Sequence, residues 1–439
     1  MSEYSIYEQI LSYLSVYCSF GVKEDYSDEL IKENWIKLQN NYPYLYNYES
    51  IKGNKEYTYS DNIPIKYELQ FKGDQTKEYL TELINLLSKE SLKPERLSKK
   101  NSILAFSKIK INNINITLFS LYTPHARTDF KGLSFFVTSF LNSFDNISTI
   151  YPMESMSGIL FEKNLIPDVK ERQDIIKKYF NYKQTLLFDF SKFKENIKLT
   201  DEEKNIIKNE QNDINNQNNY LISETIKLNI NDINSILEKC KKNNLSLQAL
   251  IYAVYLKASI ELFENNINKA DVVNFQIIYD QRKLTVNNEK CIGLFAEGTY
   301  PYLPIDMMNK SIIDISKELT KHIRKINSLN DGEFKRYRIE CYHFHKELYT
   351  IQYTLSATNM GKFKVLDDLS DNIKNKFIDY YFLNGLRYPV DSNYGKTEIH
   401  MYSLFDGTCN ISLSYPKHNI PSVNIRKLLD RIKTILLNL

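Results

Sequence analysis

Leu121-Tyr-Thr-Pro-His-Ala-Arg-Thr-Asp129 stands between two apolar stretches, and its reading decides the fold. Upstream, Ile114-Asn-Ile-Thr-Leu-Phe-Ser-Leu-Tyr122 is rich in β-branched and aromatic residues and reads as a strand. Downstream, Gly132-Leu-Ser-Phe-Phe-Val-Thr-Ser-Phe-Leu141 sets Leu133, Phe136, Val137 and Phe140 on one helical face. The nonapeptide is therefore a strand-to-helix junction. His125 can expose its imidazole there, and Asp129, four residues on, can hold the local turn. Histidine is the side chain whose ordinary pKa suits general-base work near neutrality. A His-x-x-x-Asp pair also arises by chance, so its surroundings decide its weight.

Those surroundings resemble the His-His-x-x-x-Asp-Gly motif of the chloramphenicol acetyltransferase-like superfamily, which includes peptide-synthetase condensation domains and alcohol acetyltransferases. The segment is particularly similar to bacterial alcohol-acetyltransferase-like proteins, where His-Ala-x-Thr-Asp-Gly-x-Gly precedes a Phe-containing helix. Ala126, Thr128, Gly132 and Phe136 fit that pattern. Pro124 stands where the first His would be, and Phe130 replaces the Gly after Asp. Phe130 is thus expected to reshape the route to His125.

Further blocks follow in the family's order. A helix and then Tyr42-Pro43-Tyr44-Leu45 resemble the helix and x-Pro-x-Leu element near the start of condensation-type enzymes. Arg282, in Tyr279-Asp-Gln-Arg-Lys-Leu284, matches an Arg at a strand end that pairs with the motif Asp in relatives. Read alone, Arg282 is an exposed loop residue. Ile292-Gly-Leu-Phe-Ala-Glu-Gly-Thr299 resembles the Gly-x-Phe-Val-Asn-Thr element of condensation enzymes, with Phe295 and Thr299 matching. Glu297 takes the place of Asn, with an extra Gly298 after it. Ser356-Ala-Thr-Asn-Met-Gly361 is similar to the Ser-Asn-x-Gly element of alcohol acetyltransferases and offers Asn359 as a polar channel contact.

The resemblance implies an α/β fold of two chloramphenicol-acetyltransferase-like lobes, each a mixed β-sheet with flanking helices, set as a V around a central tunnel. It implies His125 as the catalytic base, an Asp129–Arg282 salt bridge that positions its loop, and Phe130, Gly132, Phe295, Thr299 and Asn359 along the substrate channel. It further implies acyl transfer from acyl-CoA or a phosphopantetheinyl carrier protein to a hydroxyl or amine, with no bound cofactor. Two other readings stay open: a condensation enzyme of nonribosomal peptide or related natural-product assembly, and a catalytically silent binding module.

Composition sets the outer limits. A chain of 439 residues is too long for one ordinary core and suits two domains of about 200 residues each. With 57 basic and 54 acidic residues the net charge is +3, which argues against a nucleic-acid partner. The 5 cysteines are scattered and form no Cys-x-x-Cys pair, so no disulfide framework or thiolate zinc site is signalled. The acidic start, Met1-Ser-Glu-Tyr, does not read as a secretory signal, and the cytosol is the expected compartment. The most apolar helix candidate, from Leu247 to Phe263, carries Lys257 and Glu261 and is expected to be a core helix, not a membrane span.

Other chemistries find little support. His343 and His345 would share a strand face, but no third metal ligand is signalled nearby. The 12 glycines form neither a Gly-x-Gly-x-x-Gly fingerprint nor a phosphate-binding loop, and no Gly-x-Ser-x-Gly elbow occurs. The basic run from Lys170 to Lys178 reads as a solvated helix face, with an acidic carrier protein or the phosphates of coenzyme A as its alternative partners.

Along the chain, helices are expected at Glu29 to Asn41, Leu80 to Leu92, Asn231 to Lys242, Leu247 to Ala258 (with Ser246 as N-cap) and Val423 to Leu437. Strands are expected at Ile222 to Asn229 and Asp271 to Tyr279. Asp406-Gly407 between Glu398–Phe405 and Thr408–Tyr415 signals a hairpin with a tight two-residue turn. The polar tract through Asn209-Glu-Gln-Asn-Asp-Ile-Asn-Asn-Gln-Asn-Asn219 cannot bury a core. It divides the chain into a lobe over 1–190, an interdomain segment over 191–220 and a second lobe over 221–439.

Overall fold

The computed structural model describes residues 14–42, 62–70, 75–91, 93, 102–125, 128–153, 184–214, 221–280, 282, 289–293, 296–299, 301–327, 354–362, 367–386, 397–404, 406–417 and 419–439. Pro43, Tyr44 and Leu45 of the x-Pro-x-Leu element, Phe295, His343, His345 and the basic run at 170–178 lie outside them. The first part contributes β1 (Leu14–Val22), α1 (Asp28–Asn41), β2 (Ile65–Lys66), α2 (Thr76–Ser91), β3 (Ile103–Ile111), β4 (Ile114–Pro124) and α3 (Phe130–Asn142).

β4 is buried along both faces, which explains its nearly continuous apolar character. Ile116, Leu118 and Tyr122 pack with Leu80, Leu83 and Leu87 of α2. Phe119 and Leu121 face the other way, toward Trp35 of α1 and Leu133, Phe136 and Phe140 of α3. The period of two along a strand assigns alternate residues to these two cores. α1 starts at Ser27, whose hydroxyl accepts from the Leu30 amide.

The second part comprises β5 (Phe188–Phe193), α4 (Asp201–Ile214), β6 (Leu221–Leu228), α5 (Ile230–Asn243), α6 (Leu247–Leu262), β7 (Phe263–Asn265), β8 (Val272–Asp280), β9 (Ala296–Thr299), β10 (Tyr302–Pro304), α7 (Ile312–Asn327), β11 (Leu355–Lys362), α8 (Asp371–Lys376), β12 (Phe377–Leu386), β13 (Glu398–Ser403), β14 (Cys409–Pro416) and α9 (Ser422–Asn438). Its sheet runs β10-β8-β11-β13-β14-β6, with β9 alongside β8. β11 is parallel to both β8 and β13, and the other pairings are antiparallel. One sheet face, through Ile277, Ile399, Met401, Ile411 and Leu413, joins α5, α6, α7 and α9 in a single core.

Two lobes therefore form around two sheets, but the chain does not divide cleanly between them. β12 comes from the second part and completes the first sheet, whose order is β12-β1-β4-β3-β2. It pairs antiparallel with β1, Leu383 opposite Tyr17 and Phe382 opposite Cys18. Tyr380 and Phe382 then enter one first-lobe core, and Tyr381 and Leu383 the other.

Three local expectations need correction. The polar segment at 191–220 contains helix α4, anchored from its polar face: Glu210 accepts from the Ser422 amide at 2.8 Å and pairs with Lys417, while Glu203 pairs with Lys427 at 2.7 Å. Ser246 occupies the N-cap of α6, yet its hydroxyl caps nothing; its own amide donates to Thr320 Oγ1 at 3.0 Å. The β13–β14 hairpin pairs Ser403 with Cys409, so its loop is longer than two residues, and among its described residues only Gly407 takes positive φ, at 78°.

Candidate active site

His125 follows the last residue of β4 and is half-buried, with partial access to solvent. Its Nδ1 lies 3.0 Å from the Thr128 carbonyl oxygen. A carbonyl only accepts, so Nδ1 carries the proton and Nε2 holds the lone pair. Burial lowers the His125 pKa from its ordinary 6.5, against the opposing pull of the nearby Asp129 charge. Burial therefore favours the neutral imidazole.

Asp129 caps α3 and does not relay protons to His125. Its Oδ1 accepts from the Gly132 amide at 2.8 Å. Both carboxylate oxygens also accept from Arg282, Nη1 to Oδ2 at 2.9 Å and Nη2 to Oδ1 at 2.8 Å. Arg282 is fully buried, and its remaining donors are used: Nε to the Cys291 carbonyl and Nη2 to the Gly293 carbonyl, each at 3.1 Å. Asp280 Oδ1 adds a contact at 3.0 Å to Nη1, and Lys131 reaches Asp280 Oδ2 at 2.9 Å. The motif loop is thus tied to the end of β8 by two ion pairs. A planar guanidinium suits this fork; an ammonium does not.

The other expected residues fall into separate places. Gly132 abuts the 289–293 segment: a Cβ there would lie 2.0 Å from Thr128 Oγ1 and 3.2 Å from the Gly293 amide nitrogen and carbonyl oxygen. Its role in this geometry is close backbone approach, not channel space. Phe130 is enclosed, with its ring centroid 4.2 Å from Phe382, 5.9 Å from Tyr380 and 5.8 Å from Tyr402. It packs between the first sheet and β13 instead of standing free in a channel. Thr299 ends β9, opposite Ile277. Asn359 lies on β11, partly exposed, with Oδ1 accepting from the Gly361 amide at 2.9 Å. None of the described contacts brings Asn359 to His125.

Sequence reasoning passed over Asp280, Lys131 and the Cys291 and Gly293 carbonyls, because their parts depend on where Arg282 is buried. It also passed over His400 of β13, which sits beside Phe382. The signal available for His400 was its place in the strand: between the apolar Ile399 and Met401, one ionisable ring takes the alternate face. Among the described residues no cluster of three or more His, Cys, Asp or Glu could hold a metal ion, and no single helix is long and apolar enough to cross a membrane.

This architecture, two lobes with a strand of the second completing the sheet of the first, is similar over nearly the whole chain to solved structures of an acetyltransferase and of condensation domains. Trichothecene 15-O-acetyltransferase from Fusarium sporotrichioides superposes with a TM-score of 0.62 at 11% identity, over 98% of this chain and 92% of that one. Polyketide synthase associated protein 5 from Mycobacterium tuberculosis gives 0.59 at 10% identity, over 100% and 97%. The first condensation domain of the calcium-dependent antibiotic synthetase gives 0.60 at 9% identity, over 97% and 91%. No protein-family model and no curated protein matches the sequence.

Proposed function

We propose that the chain is an acyltransferase that moves an acyl group from a thioester, on CoA or a carrier protein, to a hydroxyl or amine acceptor. The observation that carries this reading is the His125 Nδ1 contact with the Thr128 carbonyl, which leaves the Nε2 lone pair of a neutral imidazole for proton abstraction. Solved structures of this fold include an acetyltransferase and condensation domains, which supports a transferase or condensation-type activity.

In the proposed step, His125 Nε2 takes the acceptor proton while the acceptor oxygen or nitrogen attacks the thioester carbonyl. The tetrahedral intermediate collapses with loss of the C–S bond, and the imidazolium returns the proton to the departing thiolate. The products are the ester or amide and the free thiol. Base assistance of this kind supplies about 10²–10⁴-fold, with positioning and oxyanion stabilisation supplying the remainder. Asp129 and Arg282 act by holding the loop that presents His125.

The test is a transfer assay with a panel of acyl-CoAs and an acyl-carrier protein against hydroxyl and amine acceptors. The expected result is thiol release coupled to ester or amide formation, falling at least about a hundredfold in His125→Ala with the fold kept. Rates confined to carrier-bound donors would assign the condensation-type variant. Equal rates in a folded His125→Ala protein would overturn the assignment of the base.

A further inference from the structure

His400 is 1% exposed, and neither of its ring nitrogens has a hydrogen-bond partner. No other described side chain carries two such atoms. Buried polar groups are nearly always paired, because an unpaired one forfeits its hydration, so this ring calls for an explanation. Hydroxyls such as those of Ser223 and Ser414 can turn toward a new acceptor, but a histidine ring fixed in a strand cannot.

Its position supplies the explanation. On β13, Ile399 and Met401 point into the second-lobe core, whereas Tyr402 packs in the core of the first lobe. His400 shares the Tyr402 face by strand alternation and so faces the first lobe. There its ring stands edge-on to Phe382 at 5.1 Å, and Phe382 in turn meets Phe130, the residue next to Asp129. Burial, with a smaller contribution from the nearby His125, pushes the His400 pKa down to about 3. Two neutral imidazoles, one from each lobe, therefore share one neighbourhood.

Each ring keeps a lone pair. The Glu398 carboxylate Oε2 lies 3.8 Å from His400 Nε2, too far for a hydrogen bond but on the side that favours a proton there. Glu398 Oε1 is occupied by the Ser356 hydroxyl at 3.4 Å. As a neutral imidazole, His400 has one ring nitrogen with a free lone pair. His125 likewise keeps a lone pair, on Nε2.

We propose that His400 is a specificity-determining contact for the acyl acceptor, accepting a hydrogen bond from a second donor group beside the one His125 deprotonates. This rests on the acyl-transfer reading above and narrows it: the acceptor class is a diol, amino alcohol or similar molecule with two neighbouring O–H or N–H donors. The second donor satisfies the buried ring, and an acceptor with one donor leaves it unpaired. Sites built to pair a substrate donor reject the analogue that lacks it.

The experiment compares kcat/KM for a 1,2-diol or 1,2-amino alcohol with that for the matching mono-alcohol, using whichever acyl donor the transfer assay selects. The wild type should prefer the two-donor acceptor by at least about tenfold, one hydrogen bond's worth. His400→Leu should lose that preference while holding or raising Tm, since it removes a buried unpaired polar group. His400→Asn, which keeps an acceptor atom, should recover part of it. An unchanged preference in a folded His400→Leu, or equal loss on both acceptors, overturns this proposal and leaves the acyltransferase reading standing. Absence of any His125-dependent transfer overturns both.

Discussion

Asp129 and Arg282, 153 residues apart in sequence, meet through two parallel hydrogen bonds, with the guanidinium fully buried. The pair joins the N-terminus of α3 to the end of β8, and the Gly293 carbonyl strengthens the joint by accepting from both the Asp129 amide and Arg282 Nη2, each at 3.1 Å. Both carboxylate oxygens are engaged, so Asp129 is held at the start of α3, and the carbonyl of the preceding Thr128 meets His125 Nδ1 at 3.0 Å.

Removing either partner should be costly. Asp129→Ala leaves the buried guanidinium with only the more exposed Asp280 as counter-charge, and Arg282→Ala leaves the Asp129 carboxylate buried without a cation beside it. Each should lower stability by about 3–5 kcal/mol, as breaking a buried pair does. The double variant should cost clearly less than the sum, because the second change removes a charge already orphaned. Denaturant unfolding of the four proteins measures the coupling, and strictly additive losses would show that the two side chains stabilise independently.

Gly132 should tolerate no side chain without a partner change. A Cβ at this position overlaps Thr128 Oγ1 at 2.0 Å and crowds the Gly293 backbone at 3.2 Å. The Thr128 side chain can be trimmed, but the Gly293 backbone gives only by shifting the 289–293 segment. Gly132→Ala should therefore cost about 1–3 kcal/mol, the usual penalty of overpacking. Thr128→Ala combined with Gly132→Ala should recover part of the lost Tm. If Gly132→Ala melted like the wild type, the contact between α3 and Gly293 would be loose in solution.

How much was legible in the sequence follows from what each signal depends on. β4, α3, α5 and α6 were readable because their signal is local: a one-sided apolar pattern in α5, and nearly continuous apolar runs in β4, α3 and α6, which are buried all round. β12 was not: its membership of the first sheet depends on pairing with β1, more than 350 residues earlier, which no local pattern encodes. α4 was read as a solvated linker because its residues are polar; its anchor is a set of ion pairs and caps to α9 and the β14–α9 turn, not an apolar stripe. At the site, the residue types and order of His125, Asp129 and Arg282 were visible, whereas the enclosure of Phe130 by Phe382, Tyr380 and Tyr402 arises only when the two lobes meet.

Phe130 should therefore behave first as a packing residue. The sequence pointed to a channel role, in which shortening the side chain shifts selectivity more than stability. Its ring instead fills space among three aromatics and is 8% exposed. Phe130→Ala should cost about 3–5 kcal/mol, and Phe130→Leu, which refills most of the volume, considerably less. Thermal unfolding decides the matter. An unchanged Tm in Phe130→Ala accompanied by a changed acceptor profile would restore the channel role.

The pH dependence of transfer should report the state of His125. Burial is the largest influence on this imidazole and lowers its pKa below the ordinary 6.5, more than the Asp129 charge and the Thr128 carbonyl raise it. The base is competent only when neutral, so its working fraction is complete above the folded pKa and is lost as pH falls through it. The acid limb of kcat/KM should therefore inflect below pH 6.5. His400 does not confuse the limb, since its ring protonates only at about 3. The Asp129 charge pulls the other way, and the Arg282 guanidinium paired with that carboxylate offsets it. Conversion of Arg282 to Gln should free that carboxylate's charge, favour the imidazolium and move the limb to higher pH. A wild-type inflection at or above 6.5, or a limb that stays put in folded Arg282→Gln, would mean that His125 is not held neutral by its surroundings and that a different group sets the profile.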